Sequence, residues 1–133
     1  MIPDVRRFPL GVVLSVTTGI LLAPFDELHE FLDFMTGDKL MTHQLPRATQ
    51  ECAPVLLRRH PHLASAVPPE SFTGRSDVER WVAEQARRLG EGVTVATLDP
   101  DDHTEIDPLV ELQMMRPDVE IVVIRIDDPE DAP

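Results

Sequence analysis

Proline punctuates this chain 13 times in 133 residues, roughly twice its usual share. Each proline holds φ at about −65° and removes a backbone donor, so a helix takes one in its first turn but does not run freely through one. The chain is thereby limited to short helices and frequent loops.

Between the prolines the pattern is legible. Leu10 to Val16 is rich in valine and leucine and reads as a buried strand. Thr17-Thr18-Gly19 is a turn signal, and Ile20 to Ala23 could pair back as a second strand. Pro24 opens a helix to about Met35, with Phe25, Leu28, Phe31, Leu32 and Met35 on one face and Gly37 as its C-terminal cap. His29 falls on the polar side of that helix and reads as solvated. Residues 38–46 read as a loop. A helix follows from Pro46 to Arg59, with Pro54 expected to kink or split it and His60-Pro61 ending it. Residues 64–74 are a Pro/Ser/Gly-containing connector, the best candidate for a hinge.

The clearest helix spans Ser76 to Leu89. Ser76 and Glu79 make a capping box, Val78, Trp81, Val82, Gln85 and Leu89 form the buried stripe, and Trp81 is a core anchor. Val93 to Leu98 is a strand, and Asp99 to Thr104 is an acidic loop. Asp107-Pro108 starts a short helix whose apolar positions are Leu109, Leu112 and Met115. Val119 to Ile126 is almost continuously apolar and reads as a central strand on which Trp81 packs. The order β(β)-α-α-α-β-α-β gives an α+β fold: a small sheet of about 3–4 strands (the N-terminal strand or hairpin plus strands near 93–98 and 119–126) covered by about four helices. Residues 1–126 form one domain of ordinary size, and 127–133 an acidic, proline-containing tail expected to be disordered.

Charge narrows the partners. The net charge is −12, and residues 67–133 carry 17 Asp/Glu against 6 Lys/Arg. Binding to a nucleic-acid backbone needs a basic face and is not expected. An acidic half suits a protein partner with a basic surface, and also serves simple solubility. A homo-oligomer stays open. The apolar run from Phe8 to Phe25 after Arg6 and Arg7 imitates a signal peptide, but Pro9, Ser15, Thr17, Thr18 and Gly19 interrupt it and no convincing cleavage site follows. It is also too short and too polar for a membrane span. The single cysteine has no internal partner for a disulfide.

The chemically mixed stretch is 35–63. LSVTTG…LL (14–22), MTGDKLMTHQLPRA (35–48) and the Glu51-Cys52 to Leu63 pattern EC-x-P-x-LL-x-x-HP-x-L, with DPLVEL (107–112), resemble a family of short uncharacterised phage and prophage-type proteins, over about Phe8 to Ile126. The resemblance implies a phage-borne or mobile-element accessory protein working inside a bacterial cell, and carries no catalytic residue.

The residues of this stretch offer three chemistries. Cys52 with His43 or His60 could form a nucleophile and base, but Ala48, Ala53, Val55 and Leu56 around it favour a packed thiol. His60 and His62 with Cys52, His43 or Glu51 could hold a metal, but no paired ligand spacing is present, and the carboxylates of Asp99 to Asp107 lack an EF-hand pattern. Thr17-Thr18-Gly19, Thr36-Gly37-Asp38-Lys39, Thr42, His43 and Arg47 could meet an anion, though no phosphate-binding loop motif occurs. No catalytic residue, metal or cofactor is assigned. The expected ligand- or partner-binding residues are Thr42, His43, Gln44 and Arg47, joined in one polar cluster. The leading reading is a non-enzymatic phage-type accessory protein, cytoplasmic in the bacterial host, that binds a host or phage macromolecule in a counter-defence or regulatory role. The alternative is a binder of a small phosphorylated ligand or nucleotide, with weak hydrolase activity as an extension.

Overall fold

A computed structural model describes residues 4–115 of the protein. The order is β1 (Val5–Pro9), α1 (Leu10–Thr18), α2 (Phe25–Thr36), a 3-10 turn (Thr42–Gln44), α3 (Leu45–Arg59), a second 3-10 turn (Pro61–Ser65), α4 (Arg75–Leu89), β2 (Gly92–Ala96), a third 3-10 turn (Pro100–Asp102) and α5 (Pro108–Met115). Mixed α+β is correct, with five helices among the described residues. The sheet there is two-stranded, not three- or four-stranded: β1 and β2 pair antiparallel with Phe8 opposite Val93 and Pro9 opposite Gly92. The strand expected at Val119–Ile126 and the tail at 127–133 lie outside the described residues.

The principal correction is at Leu10–Val16, which is helix α1 and not a strand. All seven residues are buried. A continuous apolar run fits a buried strand or a buried helix equally well, and periodicity cannot separate them. Here the surroundings decide: α1 touches α2, α3, α4 and both strands, so every face of the helix finds an apolar neighbour. Its one buried hydroxyl is satisfied twice, since Ser15 Oγ donates to the Gly11 carbonyl (2.7 Å) and accepts from the Leu22 amide (2.9 Å). That second bond ties down Ile20–Ala23 as a loop rather than the expected strand. The N-terminal strand lies just upstream instead, in Val5–Pro9, where no apolar alternation announces it.

α2 buries Phe31, Leu32 and Met35, and the Phe31 ring meets Phe8 edge-on at 4.7 Å between centroids. Pro54 does not split α3, which is continuous; both Pro54 and Gln50 lie on its exposed side, where the carbonyl left without a donor costs least. α4 begins one residue early, and its N-terminal anchor is not Ser76–Glu79. The Thr73 amide (3.1 Å) and hydroxyl donate to the Asp77 carboxylate instead. Trp81 is half-buried and packs edge-on to Phe72 at 6.0 Å, at the margin of the core rather than at its centre. Gly92 has a steric role, because a Cβ there would sit 2.9 Å from the Phe8 carbonyl oxygen.

Phe31 is fully buried, so Phe31→Ala is expected to destabilise the protein by about 3–5 kcal/mol in chemical denaturation. A loss under ~1 kcal/mol would mean that the α2–β1 contact is not part of the core.

Candidate functional site

The segment after β2 runs back over α3, and polar side chains hold it there. Their placement starts in α2. His29 is not simply solvated: its Nε2 lies 2.7 Å from the Leu40 carbonyl, and the Asp33 carboxylate accepts the Leu40 amide at 3.0 Å. With both backbone groups of Leu40 fixed, the 3-10 turn at Thr42–Gln44 feeds into α3 and sets His43, Gln44 and Arg47 toward residues 104–111.

Gln44 is buried. Its Oε1 accepts the Met41 amide (3.0 Å), and its Nε2 donates to the Ile106 carbonyl (3.0 Å) and to Glu111 Oε1 (2.9 Å). Arg47 grips Glu111 with two bonds, Nε to Oε2 at 2.6 Å and Nη2 to Oε1 at 2.9 Å. Its Nη1 donates to Glu51 Oε2 (2.9 Å) and to the Thr104 carbonyl (2.6 Å). The planar guanidinium fork matches this demand for several donors in fixed directions. Glu51 continues the network: it accepts the Thr104 amide (3.0 Å), and its Oε1 lies 2.6 Å from His103 Nδ1. The other ring nitrogen of His103 faces Asp38 at 3.4 Å. His43 Nε2 meets the Pro108 carbonyl at 2.7 Å.

Three of the four residues singled out from the sequence, His43, Gln44 and Arg47, are therefore brought together. Thr42 is not: it is exposed, and its carbonyl accepts the Leu45 amide. Glu51, Glu111 and His103 complete the cluster beyond the four expected residues, and Asp38, expected within a turn that meets an anion, faces His103 instead. Two signals were available. Arg47 and Glu51 stand at i and i+4 on a helix, and a carboxylate interrupts the apolar pattern of the short helix at 111. That helix also turns over relative to expectation. α5 buries Glu111 and leaves Leu109 and Met115 exposed.

Electrostatics follow from the pairing. The hydrogen bond from Arg47, against the cost of burial and with help from Gln44 and the charges of Arg47 and His43, holds the Glu111 carboxyl below its ordinary range. Arg47 is correspondingly held up, first by its bond to Glu111. Two further arginines of α3 reach the same segment. Arg59 donates to the Ala96 and Thr97 carbonyls (3.2 and 3.1 Å) and pairs with Asp99 at 3.6 Å, and Arg58 pairs with Asp102 at 3.8 Å. No buried side-chain polar atom among the described residues lacks a partner.

The other candidate chemistries fall elsewhere. Burial, then the charge of Glu51, pushes the Cys52 thiol up to about 12, so it is a neutral core group at pH 7. The His60 and His62 rings stack edge-on at 6.1 Å, and among the described residues no three His, Cys, Asp or Glu side chains converge on a point that could hold a metal ion. The two Thr-Gly turns are helix ends: Gly19 and Gly37 close α1 and α2 in the left-handed conformation. Thr18 and Thr36 donate their hydroxyls to the Leu14 and Leu32 carbonyls of their own helices.

Residues 8–66 match the sequence model of a domain family of unknown function, DUF7736. The match covers under half of the chain, and less than the Phe8–Ile126 span of the sequence resemblance. It includes Gln44, Arg47 and Glu51 but not their partners Thr104, His103 and Glu111. No curated protein and no solved structure matches the chain. No helix among the described residues is long and apolar enough to cross a membrane.

Arg47→Lys is expected to lower stability by about 1–2 kcal/mol, because an ammonium cannot reproduce the fork and leaves part of two carboxylates unpaired. A loss below ~0.3 kcal/mol in denaturant unfolding would show that the cluster does not fasten the segment. Glu111 also makes the fastening acid-sensitive. A carboxylate held low in the folded state contributes its stability in full above its unfolded value, about pH 4.3, and loses it as pH falls through the lower folded value. Amide exchange in α5 is expected to accelerate over that interval, and Glu111→Gln to remove the dependence. For Cys52, labelling by a thiol reagent near neutral pH should be at least about 100-fold slower in the native than in the unfolded protein; rapid native labelling would restore the nucleophile reading.

Proposed function

We propose that this protein is a small non-enzymatic accessory protein of phage type, acting in the cytoplasm of a bacterial host by binding a protein with a basic surface. One observation carries the binding reading. α5 presents Leu109, Val110, Met114 and Met115 to solvent while the Arg47–Glu111 pair fixes its orientation. An exposed apolar group on an anchored element suits an interface with another macromolecule, and methionine adapts to varied partner shapes. The polar cluster suits a ligand less well, because Gln44, Arg47 and Glu51 spend their hydrogen-bonding capacity on residues 103–111. The phage setting, with a counter-defence or regulatory role, rests on the resemblance of residues 14–63 and 107–112.

The test uses the full-length chain as bait in a lysate of phage-susceptible bacteria, with mass spectrometry of retained proteins and metabolites. A protein retained by the wild type and lost with Leu109→Asp/Met114→Asp is the expected result. A co-purified nucleotide or phosphorylated metabolite that is lost with Arg47→Lys and kept by the α5 variant would overturn this reading in favour of the small-ligand one.

A further inference from the structure

Four of the five exposed side chains of α5 fall on one side of the helix, Met115 lying outside them. At 100° per residue, Leu109, Val110, Gln113 and Met114 share one face in i, i+1, i+4, i+5 spacing, and Glu111 points away from it into the clasp. Such a stripe, about 9 Å long over six residues, offers a short contact to another helix packed across it. The charge of the chain leading into the stripe points to the partner. The segment 99–111 carries six carboxylates and no Lys or Arg. Arg59, Arg58 and Arg47 pair with Asp99, Asp102 and Glu111. Asp101, Glu105 and Asp107 remain exposed and form no ion pair among the described residues. Glu105, three residues before α5, also lines an open recess of about 560 Å³ with Asp4, Asp99, Thr36, Thr97 and His103. That recess offers carboxylates and hydroxyls to an extended cationic side chain.

We propose that the α5 stripe, with the exposed carboxylates of Glu105 and Asp107 just before it in the chain, forms a docking face for a cationic amphipathic helix of a partner protein. The inference rests on the protein-binding reading above and adds the chemistry of the partner: a short apolar face flanked by Lys or Arg. A second copy of this chain fits less well, since its own Asp101, Glu105 and Asp107 would meet the same three carboxylates across the interface. An anionic membrane surface or a nucleic-acid backbone meets the same repulsion.

The experiment titrates the full-length protein with a labelled 14-residue peptide of leucine and lysine in amphipathic helical order, followed by fluorescence anisotropy near 0.1 M salt. A scrambled peptide of the same composition and a leucine–glutamate counterpart serve as comparisons. The ordered cationic peptide is expected to bind, and the other two to bind at least about tenfold more weakly. Leu109→Asp/Met114→Asp should weaken binding by about tenfold or more, Glu105→Lys by about threefold or more, and Glu84→Gln on α4 not at all. The substituted side chains are exposed, so the variants should keep their melting temperatures, which circular dichroism checks. Equal binding of the scrambled peptide, or indifference to the α5 variant, would reduce the effect to bulk charge and overturn the inference. Failure of the cationic peptide to bind would also overturn it. If α5-dependent retention of a lysate protein persists in that case, the protein-binding reading stands and only the partner chemistry is wrong. Concentration-dependent self-association abolished by Leu109→Asp would assign the face to a second copy and overturn the inference.

Discussion

α1 has no outer face. Every side chain from Leu10 to Val16 is buried, so the helix needs apolar cover on all sides, and the other elements are disposed to supply it. The β1–β2 pair, α2, α3 and α4 each lie against it. Close approach is needed for this, and Gly11 provides it: a Cβ there would come within 3.2 Å of Val82 on α4. The same constraint places the polar groups. With the middle of the protein largely apolar, most donors and acceptors are displaced to the periphery, and the outer side of α3 becomes the site where charged residues collect.

Along that outer side, Arg47, Arg58 and Arg59 act as three fastenings for one segment. They are not equivalent. Arg58–Asp102 is long and largely solvated, and a pair of that kind contributes little. Arg47–Glu111 is short, bidentate and mostly buried, and Gln44 supports it. Neither partner could be removed without leaving a desolvated charge behind. The strength of the attachment is therefore concentrated at the α5 end of the segment, the end that carries the exposed apolar stripe. An interface helix of only about two turns would not hold its shape alone; an internal ion pair in place of an apolar anchor leaves its leucine and methionine side chains free for contact.

How much of this could be read from the sequence depended on whether the signal was local. α2, α3, α4 and β2 carry their own starts, stops and periodicity in Pro24, Gly37, Pro46, Pro61 and Gly90, and their bounds emerged within a few residues. The cap of α5 at Asp107 is equally local, and its carboxylate accepts the Leu109 and Val110 amides at 2.9 and 3.3 Å. The α1 segment reads as a strand because an all-apolar run has no phase; whether such a run coils or extends depends on what surrounds it. His43, Gln44 and Arg47 were found because their density was unusual, but the purpose of that density was not visible. Their partners lie some 57 to 67 residues away, and no spacing rule connects positions so distant.

The face that α5 presents follows from the same ion pair. Read as an isolated helix, Leu109, Leu112 and Met115 would be its core stripe, and the carboxylate between them an outward residue. The structure reverses this: Arg47, half-buried at the edge of α3 and paired with Glu51, also holds Glu111 in a bidentate pair, without which the buried Glu111 carboxylate would be left uncompensated. Burying Glu111 turns Leu109 and Val110 outward. The exposed stripe is thus a direct consequence of the ion pair, and a change at Arg47 would alter the outer surface of α5 without touching it. The polar cluster that drew attention in the sequence and the apolar stripe that suits a partner are two sides of one arrangement: the cluster sets the orientation, and the stripe is what that orientation presents.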